Sequence, residues 1–124
     1  MIKKKVVSSE KLAEVIVDAI QDVKGKSITK LDLRKIDNAV CDFFIICSGE
    51  SSTQVEGINN SIQRKTREVL LEKPWHEEGK QNSEWILLDY VNIVVHIFYK
   101  DVRDFYDLED LWADAEKTEY EDIF

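Results

Sequence analysis

Apolar residues recur every three or four positions near the start of the chain, between residues 9 and 24. This spacing predicts an amphipathic helix, because it places the side chains along one stripe of the helix surface. Ser8 or Ser9 can cap its start, and Gly25 can end it. The stripe consists of Leu12, Val15, Ile16, Ala19, Ile20 and Val23.

Two strands are predicted next. Residues 28–33 alternate Leu31 and Leu33 with polar residues, which indicates a half-buried strand. After a polar connection, residues 42–47 form a continuous apolar run that is rich in β-branched and aromatic residues. Such a run is typical of a central strand that is buried on both faces of a sheet.

A second amphipathic helix is predicted from Ser51 onward. Residues 51–54 match a capping box, in which Ser51 and Gln54 satisfy amide groups at the start of the helix. Lys73 and Pro74 mark its end, because proline cannot continue the hydrogen-bond ladder. The helical stripe consists of Val55, Ile58, Ile62, Val69 and Leu70.

The next part of the chain predicts an antiparallel hairpin. A loop at 75–82 leads into two β runs, 84–89 and 93–99, which the short link 90–92 joins.

A final helix is predicted at 102–117. Residues 1–117 thus predict a single α/β domain with a mixed β-sheet flanked by helices. Residues 118–124 predict an acidic C-terminal tail that frays.

Strict alternation divides the hairpin residues between two faces. One face is purely aliphatic, as a core face is: Ile86, Leu88, Ile93, Val95 and Ile97. The other mixes large aromatic and polar residues: Trp85, Leu87, Asp89, Val94, His96 and Phe98. This mixture is typical of a protein-binding hot spot. Alternatively, the last helix covers the face through Leu108 and Trp112.

Charge is distributed unevenly along the chain, whose formal net charge is -8. Residues 101–124 hold ten acidic and two basic residues, so this segment accounts for the whole net charge. The first hundred residues are neutral overall, which disfavours direct binding to a nucleic-acid backbone. An acidic end suits a basic protein partner, although a merely solvated acidic helix and tail fits the same pattern.

The remaining composition indicates a cytoplasmic protein. No apolar run is long enough to span a bilayer, so we expect no membrane association. The start of the chain does not resemble a signal peptide. Cys41 and Cys47 make no disulfide framework, which fits a reducing compartment.

The residue types that carry chemistry are sparse, and we expect no catalytic, cofactor-binding or metal-binding residues. His76 and His96 are too far apart in sequence for a usual zinc pattern. Ser48 and Ser51 lack a nucleophile-elbow motif. The turn at 47–52 precedes a helix and could hold an anion, but it has neither a Walker pattern nor a lysine that would meet a phosphate.

Several motifs in order resemble the ribosomal silencing factors, also called the Iojap-related family. They are Asp42-Phe43-Phe44-Ile45-Ile46-Cys47-Ser48-Gly49; Ser51-Ser52-x-Gln54-Val55; Glu78-Gly79 with Glu84-Trp85-Ile86-Leu87-Leu88-Asp89-Tyr90; Val94-Val95-His96-Ile97-Phe98; and Arg103-x-Phe105-Tyr106-x-Leu108-Glu109-x-Leu111-Trp112. The resemblance extends over nearly the whole chain.

The resemblance implies a nucleotidyltransferase-like α/β domain without the catalytic carboxylates. It implies a non-enzymatic protein that binds ribosomal protein fourteen of the large ribosomal subunit and sterically blocks subunit association, which represses translation when nutrients are scarce. A large-subunit assembly factor, a degenerate nucleotide-binding protein and a homodimer formed through the same apolar face are the alternatives. The motifs imply these partner-binding positions: Trp85, Asp89, Tyr90, His96, Phe98, Arg103, Tyr106 and Leu108.

One position departs from the family pattern. Val91 stands where the family commonly has glycine after the Asp-Tyr pair. Because a β-branched residue disfavours positive φ, we expect the hairpin link to be centred on Asn92 or to have another shape.

Overall fold

A six-stranded sheet forms the centre of the structure, a computed structural model that describes residues 7–123. In chain order its strands are β1 (Lys26–Asp32), β2 (Phe43–Gly49), β3 (His76–Glu78), β4 (Trp85–Asp89), β5 (Ile93–Tyr99) and β6 (Glu116–Glu119). The helices are α1 (Ser9–Asp22), α2 (Ser52–Leu70), α3 (Lys100–Tyr106) and α4 (Leu108–Leu111).

The strands lie in the order β3-β4-β5-β2-β1-β6. Strands β2 and β5 run parallel, and every other neighbouring pair is antiparallel. The sheet is therefore mixed and flanked by helices, as predicted. Every residue of β2 is buried, which confirms the prediction of a central strand.

Helices α1 and α2 cover one face of the sheet. Their apolar stripes pack on the aliphatic residues of β2, β4 and β5 in one continuous core. Helix α1 begins where the sequence predicts, because the hydroxyl of Ser8 accepts a hydrogen bond from the amide of Lys11 at 3.1 Å. At its end, Lys24 rather than Gly25 takes the positive φ. Gly25 is instead required for space, since a Cβ there would lie 2.3 Å from a methyl group of Ile20.

Both ends of helix α2 are capped. The hydroxyl of Ser51 accepts from the amide of Gln54, and the Gln54 side chain accepts from the amide of Glu50. The predicted capping box thus forms, with the reciprocal bond shifted by one residue. The prediction that Pro74 ends the helix is wrong, because left-handed Leu71 ends it and donates its amide to the Arg67 carbonyl.

The hairpin forms as predicted, but two details differ. Strand β3, inside the predicted loop, pairs with β4 and lies at one edge of the sheet. Val91 itself takes a positive φ of 78°, contrary to the expectation for the link. The Asp89 carboxylate holds this conformation by accepting from the Val91 amide at 2.8 Å.

The predicted single helix at 102–117 is wrong. Left-handed Asp107 separates the short helices α3 and α4, and the chain then extends into β6 beside β1. The predicted boundary after Lys117 falls inside β6, so the first residues of the acidic tail pair with β1. Beyond this strand, the Asp122 carboxylate still accepts from the Ser27 amide at 2.8 Å.

Candidate partner-binding surface

Six ring side chains meet on the face of the sheet opposite α1 and α2. We call them the aromatic cluster: Phe44, Trp85, His96, Phe98, Tyr106 and Trp112. Alternation places the members on β4 and β5 on this side, while Tyr106 comes from α3 and Trp112 follows α4. Trp85 contacts Phe98 and Tyr106, with ring centroids 4.9 and 4.5 Å apart. The predicted division of the hairpin into an aliphatic and a mixed face is confirmed.

His96 is the polar centre of this cluster. Its Nδ1 accepts a hydrogen bond from the Trp85 indole at 3.1 Å, and its side chain is buried. Burial lowers the pKa of His96 to about 4, because removal from water disfavours the charged imidazolium. The imidazole is therefore neutral at pH 7, with its proton on Nε2 as the Trp85 bond requires.

The alternative that the C-terminal segment covers this face is correct for part of it. Trp112 packs edge-on against Phe44, with ring centroids 5.5 Å apart. Leu108 and Ala115 also pack on the buried side chains. Phe98, whose ring stacks on Trp85, is fully buried.

Beside the covered part lies an exposed apolar surface. Tyr106 is 48% exposed, Phe105 81% and Leu111 73%. Phe105 contacts Tyr106 edge-on at 5.2 Å, so the exposed rings continue the aromatic cluster outward. Sequence reasoning did not select Phe105 or Leu111. The break at Asp107 lies between them, and a continuous-helix prediction conceals that break.

The predicted partner-binding residues separate into two groups. Trp85, Asp89 and Leu108 are half-buried and Tyr106 is exposed, so these four keep side-chain surface accessible. The other four are buried: Tyr90, His96, Phe98 and Arg103.

Tyr90 and Arg103 lie away from this surface for identifiable reasons. The Tyr90 hydroxyl meets the Thr66 hydroxyl at 3.0 Å under α2, on the opposite face of the sheet. Arg103 donates to Glu109, Ser48 and Thr29. Both side chains hold the fold together, and neither is a direct contact in this conformation.

Several polar groups of the turn before α2 are occupied. The Ser48 hydroxyl accepts from the buried Arg103 guanidinium at 3.0 Å. The amides of Glu50 and Gln54 are bonded by side chains of the same turn. This arrangement favours a structural turn over an anion site.

Two kinds of feature are absent from residues 7–123. No three residues among His, Cys, Asp and Glu lie close enough together there to hold a metal ion. Within the same range, no helix is long and apolar enough to cross a membrane.

Comparison with known proteins gives concordant results. A family model described as "Ribosomal silencing factor during starvation" matches residues 6–124. A Halalkalibacterium halodurans protein named ribosomal silencing factor RsfS is 35% identical, and the match covers 94% of this chain and 97% of that relative. A solved Chromobacterium violaceum structure is 34% identical with a TM-score of 0.80, and the match covers 86% of this chain and 88% of that chain.

A more distant relative is named differently. The mouse protein named mitochondrial assembly of ribosomal large subunit protein 1 is 27% identical, and the match covers 58% of this chain and 32% of that relative. The relatives that match over most of both chains are named as silencing factors and not as enzymes. Agreement of sequence and fold over nearly the whole length shows that this chain belongs to the ribosomal silencing factor family.

Proposed function

We propose that this protein binds the large ribosomal subunit through ribosomal protein fourteen and sterically blocks association with the small subunit. It acts in the cytoplasm by binding and not by catalysis, and it represses translation when nutrients are limiting. The names of the similar relatives support the ribosomal role.

The observation that carries the proposal is the exposed aromatic surface. Tyr106 and Phe105 present large rings to solvent directly beside half-buried Trp85. Large rings that are exposed yet anchored on a packed cluster are what protein-binding hot spots contain. If this surface contacted only water, such rings would have no function there.

Charge around this surface favours a basic protein. Asp104 and Asp110 are exposed on the two short helices that carry Tyr106 and Leu111, and exposed Asp107 lies between these helices. Carboxylates placed there repel a phosphate backbone and attract lysine and arginine side chains. We therefore place the contact on ribosomal protein and not on ribosomal RNA.

Alanine substitution tests the surface. Tyr106→Ala is expected to weaken binding to purified ribosomal protein fourteen by about 2 kcal/mol, roughly 30-fold, as hot-spot truncations do. Trp75→Ala is the matched control, because Trp75 is 80% exposed but precedes the edge strand β3. Equal affinities of the two folded variants would contradict the proposal.

A second function, assistance in large-subunit assembly, is favoured by the name of the mouse relative. Sedimentation separates the two functions. A silencing factor co-sediments with mature free large subunits, lowers the yield of joined ribosomes when added, and is absent from intact ribosomes. An assembly factor accompanies immature subunits and leaves the joining of mature subunits unchanged.

Self-association through the same surface is the remaining proposal about partners. Exposed apolar side chains such as Phe105 and Leu111 suit a homodimer as well as a ribosomal partner. If one surface serves both, the ribosomal partner dissociates the dimer. Sedimentation of the protein with and without ribosomal protein fourteen measures this competition.

A further inference from the structure

One buried donor in the aromatic cluster has no acceptor. Since Nδ1 of His96 accepts from Trp85, the imidazole proton lies on Nε2, on the other side of the ring. This Nε2 is buried and has no hydrogen-bond partner among the described residues. Buried donors almost always have partners, because an unpaired one has lost its hydration without compensation. A group of this kind calls for an explanation.

The chain segment that covers Phe44, a ring in contact with His96, is weakly held. Helix α4 has four residues, none of them buried, and begins at left-handed Asp107. Leu111 is 73% exposed, and the Glu109 bond to Arg103 ties down the start of the segment. Segments with little buried apolar surface open at low free energy.

The side chains beneath this segment carry rings, as do Phe105 and Tyr106 on the exposed surface. His96 contacts Phe44 edge-on, with ring centroids 4.7 Å apart, and Trp112 packs on the same ring. Moving Trp112 aside would extend the exposed aromatic surface over Phe44 and toward His96. The partner-binding surface would then gain both apolar area and a hydrogen-bond donor.

We infer that residues 107–115 form a cover that moves aside when the partner binds, and that His96 Nε2 then donates to a carbonyl or carboxylate oxygen of the partner protein. This inference rests on the proposed function and adds a regulatory step to the same surface. In the closed state the donor is unpaired. In the open state the partner satisfies it, and the apparent affinity falls with the fraction of molecules that are closed.

Trp112→Ala tests the cover. Removing the side chain that packs on Phe44 raises the open fraction, so binding to purified ribosomal protein fourteen is expected to tighten roughly fivefold, with faster association, although the Tm falls. Trp75→Ala again serves as the control. Unchanged or weaker binding by folded Trp112→Ala would overturn the inference.

Two substitutions of His96 test the donor. In His96→Asn the amide stands near the position of Nδ1 and keeps an acceptor for Trp85, whereas in His96→Gln it reaches the position of Nε2. We expect His96→Asn to lose roughly tenfold in affinity and His96→Gln to retain most of it. Equal loss in both variants would overturn the role of Nε2.

Hydrogen exchange on the unaltered protein provides a measurement that no folding defect can disturb. The amides of Leu111, Trp112 and Ala115 donate within the cover. They are expected to exchange faster in the complex than in the free protein, and greater protection would show that the partner docks on a closed cover.

If the unaltered protein binds neither ribosomal protein fourteen nor free large subunits, the proposed function fails. If it binds while Trp112→Ala gives no gain, only the cover is refuted.

Discussion

The two faces of the sheet are packed by different means. One is mainly aliphatic, and its buried residues pack against the long helices α1 and α2. The other is aromatic, contains His96, and is covered by short helices on either side of left-handed Asp107. Burial of aliphatic surface stabilises the fold and removes few polar groups from water. The second face instead keeps aromatic rings and hydrogen-bond donors near the solvent. We interpret the first face as the scaffold and the second as the binding face.

Core truncation is expected to show the largest contrast between the faces. Ile45 is fully buried on the scaffold face, and Ile45→Ala is expected to lower the free energy of unfolding by about 4 kcal/mol, because it leaves a cavity. Leu108→Ala, in the half-buried cover, should cost only about 1 kcal/mol. Urea unfolding monitored by circular dichroism measures both, and equal losses would contradict the division.

Sequence reasoning succeeded on the scaffold face for a physical reason. There the periodicity of apolar residues and the capping groups agree with the final packing, as in α1 and around β2. Ser8 and Ser51 cap the helices from their predicted positions. Local preference and tertiary contacts indicate the same structure, so the pattern suffices.

The C-terminal part could not be read in the same way. The apolar and polar positions at 102–117 suit one helix, but Asp107 adopts a left-handed conformation that no periodicity reveals. The four residues of β6 are all exposed and gain their structure from pairing with β1. The motifs selected hairpin residues that lie in the aromatic cluster, but they did not reveal the burial of Tyr90 and Arg103, which depends on long-range bonds.

The neutral histidine makes the stability of the binding face depend on pH. The pKa of His96 is about 4 in the folded protein and about 6.5 when unfolded, so the unfolded chain binds more protons between these values. This contribution to stability is present above pH 6.5 and is lost as the pH falls toward 4.

Between pH 7 and 4.5, the unaltered protein should lose about 2 kcal/mol more of its free energy of unfolding than His96→Gln. His76→Gln is the control, since His76 is exposed and the chain has no third histidine. Parallel pH profiles for the unaltered protein and His96→Gln would show that burial does not perturb the imidazole.

A substitution in the hairpin link is expected to give a smaller change in the free energy of unfolding, and this change is stabilising. Val91 is 64% exposed and holds a φ of 78°, which is unfavourable for a β-branched residue. Val91→Gly is expected to raise the free energy of unfolding by about 1 kcal/mol, because relief of strain outweighs the added freedom of the unfolded chain. Val40→Gly is the matched control at an exposed valine that is not among the positive-φ residues, and it should be slightly destabilising.

An ion pair between the scaffold helices is expected to give the smallest effect. Lys65 of α2 reaches Asp22 of α1 at 2.7 Å, and both side chains are partly exposed. Water screens such a pair, so a double-mutant cycle with Lys65→Ala and Asp22→Ala should give a coupling of about 0.5 kcal/mol or less. A coupling several times larger would mean that the scaffold depends on charge as well as on burial. A small coupling that disappears in high salt would indicate that the stability of the scaffold comes from the aliphatic core.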